Sequence, residues 1–135
     1  MNSNNHITVD QIKNDAEVIK KELVEWRHYL HAHPELSFKE ERTTHYIVNK
    51  LKNFGYTDIQ IGFGPLKTGV MVEIGSGRPC VMLRADIDAL PIQEQTGVEF
   101  CSQSKGVSHA CGHDAHITNL LGVAKLLKKY ENSIK

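Results

Sequence analysis

Val107-Ser108-His109-Ala110-Cys111-Gly112-His113-Asp114-Ala115-His116 packs three of the chain's eight histidines, one of its three cysteines and an aspartate into one short stretch. Thiolates and neutral imidazoles donate lone pairs to zinc-like ions, and a carboxylate binds the ion or orients another ligand. Gly112 has no Cβ, so the backbone can turn tightly enough for Cys111 and His113 to face one point. Ile117, Leu120, Leu121, Ala124 and Leu127 follow at helical spacing, which predicts a buried helix over 116–130 with Asp114 as its N-cap. The stretch therefore sits where a loop becomes a core helix, with the positive end of the helix dipole beside it.

Upstream, Arg84-Ala85-Asp86-Ile87-Asp88-Ala89-Leu90-Pro91 places two carboxylates after the apolar run Cys80-Val81-Met82-Leu83. That run is apolar on both faces and predicts a central strand. The end of such a strand is where open α/β sheets place their sites, although a surface turn capped by aspartates fits the same residues. Val70, Val72 and Ile74 alternate in a strand over 68–74, and Gly75-Ser76-Gly77-Arg78 turns it back as an antiparallel hairpin with 80–83. A shorter strand is expected over 56–63. Residues 92–106 are polar and irregular, a long loop with room for one short strand; loops of that length in compact domains are often functional.

Two helices precede the strands. Thr8 and Gln11 can form a capping box, and Ile12, Ala16, Ile19, Leu23, Trp26 and Leu30 make one apolar stripe, so Trp26 and Leu30 read as core. Pro34 ends this helix at His33, and His31 and His33 suit the free carbonyls and dipole of its last turn better than ligation. Ser37 and Glu40 predict a second capping box. Thr44, Ile47, Val48, Leu51 and Phe54 mark the second helix, which Gly55 closes in a left-handed cap. The order helix-helix-strands-helix defines an α/β domain, a mixed sheet flanked by helices, over 7–135, with 1–6 as a frayed tail.

Sixteen basic and sixteen acidic residues balance, so nothing points to nucleic acid or a membrane surface as partner. No apolar run approaches a membrane span, and the polar N-terminus is unlike a signal peptide. Three widely spaced cysteines fit a reducing cytoplasm better than a disulfide framework. Signatures of the P-loop, the dinucleotide-binding fold, zincins and α/β-hydrolases are absent. Taken singly, each of these side chains has a structural reading: a cysteine as a small buried hydrophobe, His109 and His116 as packing, capping or solvent-facing residues. A Cys/His nucleophilic dyad competes with metal ligation, but nucleophile and base usually come from separate elements.

Four blocks in order carry a resemblance: Arg27-His28-Tyr29-Leu30-His31-Ala32-His33-Pro34-Glu35-Leu36-Ser37; Thr68-Gly69-Val70; Leu83-Arg84-Ala85-Asp86-Ile87-Asp88-Ala89-Leu90-Pro91-Ile92-Gln93-Glu94; and His109 to His116. From about Glu22 to Lys128 the chain resembles the N-terminal part of the hippurate hydrolase, N-acyl-amino-acid amidohydrolase and auxin-conjugate hydrolase group. These belong to the aminoacylase and carboxypeptidase G-like metallopeptidases. The resemblance implies hydrolysis of the amide bond of a small N-acyl amino acid or peptide-like substrate by metal-activated water. It implies Cys111 and His113 as metal ligands and Asp88 as the supporting carboxylate, with Asp86, Asp114 and His116 near the site. Two divalent ions (zinc, manganese, nickel or cobalt), a glutamate base, further ligands and homodimer contacts are implied for the full-length enzyme. Family members are much longer than this chain. The resemblance therefore implies an incomplete catalytic domain, inactive alone, whose second, smaller domain is absent. A non-enzymatic metal-binding or partner-binding module that pairs with a missing half is the alternative, and a redox-sensing thiol at Cys111 a weaker one.

Overall fold

The computed structural model describes residues 7–134, so the expected tail over 1–6 lies outside the described residues. The first helix, α1, runs Val9–Ala32. Thr8 caps it in the expected box: its hydroxyl accepts from the Gln11 amide at 3.2 Å, and the Gln11 side chain accepts from the Thr8 amide at 2.8 Å. The second, α2, spans Glu41–Phe54, and Gly55 closes it at φ 97°, donating to the Leu51 and Lys52 carbonyls. A residue with a Cβ is strained at that φ. Gly55→Ala is therefore expected to cost about 1–2 kcal/mol, read as a lower urea midpoint with unchanged slope.

The second capping box does not form. Glu40 occupies the N-cap position of α2 without a side-chain hydrogen bond, and Ser37 donates instead to Asp88. Glu35 serves the helix end from outside: its carboxylate accepts from the Arg42 and Thr43 amides at 3.2 and 2.8 Å. A carboxylate there satisfies orphan amides and meets the positive end of the dipole, which removes the need for a local cap.

The strands are short. β1 (Ile59–Ile61) and β2 (Val70–Val72) pair antiparallel, Ile59 opposite Val72 and Ile61 opposite Val70. The hairpin thus joins the two earlier strands, not 68–74 with 80–83. Cys80 to Leu83 forms no strand, and Val81 and Met82 are 78% and 81% exposed. A strand apolar on both faces needs neighbours on both edges and a layer on each side, and the described residues supply neither. The run records a demand for burial without naming its partner. Single bridges extend the pairing elsewhere: Leu36 runs parallel to Ala89, and Leu90 antiparallel to Ser108. The result is α/β, with the expected order of helices and strands.

The last helix, α3, spans His113–Lys129 and packs mainly on α1. Trp26 and Leu30 from α1, Ile47 and Leu51 from α2, Tyr56, and Ile117 and Leu121 from α3 form the core. Trp26 and Leu30 are 4% and 2% exposed, as their stripe predicts. Tyr56 buries its ring there and donates its hydroxyl to the Ala124 carbonyl at 2.9 Å. Among the described residues no helix is long and apolar enough to cross a membrane.

Candidate metal centre

Three backbone segments converge on the start of α3. The Ala89 amide donates to the Glu35 carbonyl at 2.8 Å, while Leu90 and Ser108 exchange amide-to-carbonyl bonds at 3.0 Å each. This stitching sets Asp88 between Ser37 and the cluster. The loop over 92–106 carries no strand and is fastened by its own polar groups. Ser102 donates its hydroxyl to the Val107 carbonyl at 2.6 Å, and the Gln103 amide donates to the Ala32 carbonyl at 2.9 Å.

Gly112, at φ 80°, makes the turn expected of it and is the N-cap residue of α3. The helix starts at His113, earlier than its apolar periodicity alone indicates, so Asp114 lies inside the first turn and does not cap it. The His113 Nδ1–H donates to the Asp88 carbonyl at 2.9 Å and to its carboxylate at 3.0 Å. Both partners only accept, so Nδ1 carries a proton, and in the neutral ring the lone pair is on Nε2. A carboxylate that fixes the tautomer in this way is the usual support of a metal-binding histidine. The Asp88 pKa is lowered, chiefly by the Ser37 hydroxyl, which outweighs burial; His113 adds to it. Cys111 is exposed with a free thiol, and the His116 ring lies 5.8 Å from that of His113. Asp86 does not join them: it pairs with Arg84 on the exposed side of the turn.

Asp114 turns the other way, into the protein, and its side chain is 1% exposed. It accepts from His31 Nδ1–H at 2.8 Å and from Arg27 Nε–H at 3.2 Å. His31 Nε2–H donates in turn to Glu94 at 2.9 Å. An imidazole between two carboxylates must donate from both nitrogens and is therefore an imidazolium. Burial opposes that charge, but Glu94 and Asp114 outweigh it, and the His31 pKa is raised. Burial also pushes Glu94 up. Hydrogen bonds from Thr96, the Ser102 amide and His31 reverse this and hold it at about 2. His33 keeps the local role read from sequence, its Nδ1–H donating to the Tyr29 carbonyl at 2.7 Å. His109 is 4% exposed with neither ring nitrogen partnered, and burial lowers its pKa.

The Arg27–Asp114–His31–Glu94 chain ties α1, the start of α3 and the loop together, and its roles were not read from the sequence. The four residues fall in three of the quoted blocks, but no spacing rule links them. Its pH dependence follows from the shifts. The Glu94 contribution is complete above its ordinary pKa of 4.5 and is lost as pH falls towards 2. The His31 contribution is complete below 6.5 and is lost as pH rises through the raised value. Unfolding free energy from this pair should peak between those limits, and Glu94→Gln should flatten the acid limb in urea titrations across pH.

The donor set fits part of a metal site. An exposed free thiol and a carboxylate-fixed imidazole flank Gly112 in the sequence, yet no group of three or more metal-ligating side chains occurs among the described residues. The profile of peptidase family M20/M25/M40 matches residues 82–135. An N-acyl-L-amino acid amidohydrolase of Geobacillus stearothermophilus is 43% identical over 131 residues, 96% of this chain and 35% of the relative. The crystal structure of an aminohydrolase from methicillin-resistant Staphylococcus aureus superposes with a TM-score of 0.82 at 42% identity, covering 93% of this chain and 33% of that one. A Bacillus subtilis dinuclear metal-binding peptidase of the M20 family gives 0.75 at 46% identity, covering 85% and 32%. This chain spans about a third of the length of these proteins. Along nearly the whole described chain, sequence and fold resemble a part of these proteins, and residues 82–135 match peptidase family M20/M25/M40.

Proposed function

We propose that this chain supplies part of the metal centre of a hydrolase that cleaves the amide bond of N-acyl amino acids. The observation that carries the proposal is the Asp88–His113 pair, which occupies Nδ1 and leaves Nε2 for a metal, two residues from the exposed thiol of Cys111. Cys111 and His113 would hold the metal, with Asp88 orienting His113 and His116 at the rim. A bound divalent ion supplies Lewis acidity towards the amide carbonyl and towards water. The chain's own contribution is positional: Asp88 keeps the His113 proton on Nδ1, and the Asp114 network fixes the helix turn from which His113 projects. The substrate class follows from the amidohydrolase relative and from the resemblance carried by the four blocks.

Catalytic zinc sites use three protein ligands and a water, so the two donors here should bind metal weakly and support no turnover. The purified chain is expected to show a cobalt–thiolate absorption band on titration with Co2+. With zinc, manganese, cobalt or nickel it should not hydrolyse hippurate or N-acetyl amino acids. Metal-dependent turnover would overturn the two-donor argument, and absence of the band would overturn the ligand assignment.

The exposed Val81–Leu83 run favours a second reading, a module that pairs with another polypeptide. Sedimentation of the chain as a cooperatively folding monomer with no partner would count against it.

A further inference from the structure

A groove of roughly 440 Å3 lies between α1, α2 and the C-terminal turns of α3. It is remote from the candidate metal centre: Lys125 on its wall is about 18 Å along α3 from His113, at 1.5 Å per residue. Phe54 and the exposed Val18 give it an apolar wall suited to an apolar body, and Trp26, only 4% exposed, backs it with its ring centroid 5.5 Å from that of Phe54.

Several lysines line the same groove, and most are already neutralised. Lys125 pairs with Glu22 at 2.6 Å, Lys129 with Asp15 at 2.5 Å and Lys128 with Glu131 at 2.6 Å. Lys50 differs. Among the described residues no carboxylate lies within ion-pair distance of it; its ammonium sits 4.8 Å from the Trp26 ring centroid and 5.2 Å from that of Tyr46. Burial lowers its pKa, and the neighbouring Lys125 lowers it further; Glu22 and Glu25 pull the other way without reaching contact. A half-buried cation beside a second cation and above aromatic faces is stabilised by an added anion. One cation without a contact partner suits a monoanion, because a dianion would bring in a second charge with no partner. The volume falls within the range of small-molecule sites, about 300–1,000 Å3.

We propose that this groove binds a small amphiphilic carboxylate, its anionic head on Lys50 and its apolar body against Phe54 and Val18. The site is independent of the metal reading and stands or falls without it.

Trp26 is the chain's single tryptophan and its ring centroid lies 4.8 Å from the Lys50 ammonium, so its fluorescence reports on an anion taken up at Lys50. The chain is titrated with phenylacetate in the presence of a chelator, and with phenylacetamide as the uncharged counterpart. A saturable change with phenylacetate is expected, and binding of the amide about tenfold weaker, as loss of a charge-assisted contact implies. Lys50→Gln should remove the preference for the acid, while Lys50→Arg should retain it. Equal binding of acid and amide by the native chain, or no saturable change with either, would overturn the proposal. Comparison of acid and amide needs no variant, so the test stands even where Lys50→Gln does not fold.

Discussion

Asp114→Asn is expected to lower the unfolding free energy by about 3–5 kcal/mol, the cost of breaking a buried, hydrogen-bonded charge pair. The native carboxylate is sealed from solvent and accepts from both His31 and Arg27. Asparagine keeps the shape but loses the charge. Both donors use Oδ2, and Oδ1 is buried without a partner, so the asparagine oxygen can keep both bonds only without the charge, and its NH2 becomes a buried donor with no acceptor. His31 would then keep only Glu94 for compensation. Native stabilities of about 5–15 kcal/mol make such a loss visible as a large fall in the urea midpoint. Arg27→Lys should cost far less, about 1 kcal/mol or under, because the Arg27 side chain is 45% exposed and water can replace what it gives. A change below 1 kcal/mol in Asp114→Asn would mean that the network contributes little to stability.

The second large effect concerns metal affinity. Cys111→Ala should abolish the cobalt–thiolate band, and His113→Ala should reduce Co2+ binding to the background of surface carboxylates. Asp88→Asn tests orientation rather than ligation. It leaves both ligands and an oxygen facing His113 Nδ1–H, but removes the negative charge that raises the basicity of the imidazole. Loss of such a partner typically weakens metal binding by about 10–100-fold, and the lower end is expected here because the Asp88 carbonyl still accepts from Nδ1–H. Unchanged affinity in Asp88→Asn, with far-ultraviolet circular dichroism preserved, would remove Asp88 from the positioning role and leave it a turn residue tied to Ser37.

Much of the fold was legible residue by residue. The Trp26–Leu30 stripe, the Thr8 cap, the Gly55 stop and the helix after Cys111 are written in local periodicity. A helix needs only its own backbone hydrogen bonds and one apolar face. Strands were less legible. The apolar signal at Cys80–Leu83 was real, but a strand exists only by pairing, and the hairpin formed between Ile59–Ile61 and Val70–Val72. The capping residues at Ser37 and Asp114 were misread for a related reason: each had a more favourable long-range partner, Asp88 for one and His31 with Arg27 for the other.

By itself the sequence determined the helices, the core stripes, the ligand types gathered between His109 and His116, and the family blocks. Each of these depends on residues close together in the chain. Only the tertiary structure decided that Asp88 holds His113, that Asp86 stands apart with Arg84, and that Asp114 faces inward to His31 and Arg27. Those contacts, apart from the Arg84–Asp86 turn, join residues 25 to 87 positions apart. Spacing carries no trace of such pairs. They form because a buried charge must find a partner wherever the packed chain provides one.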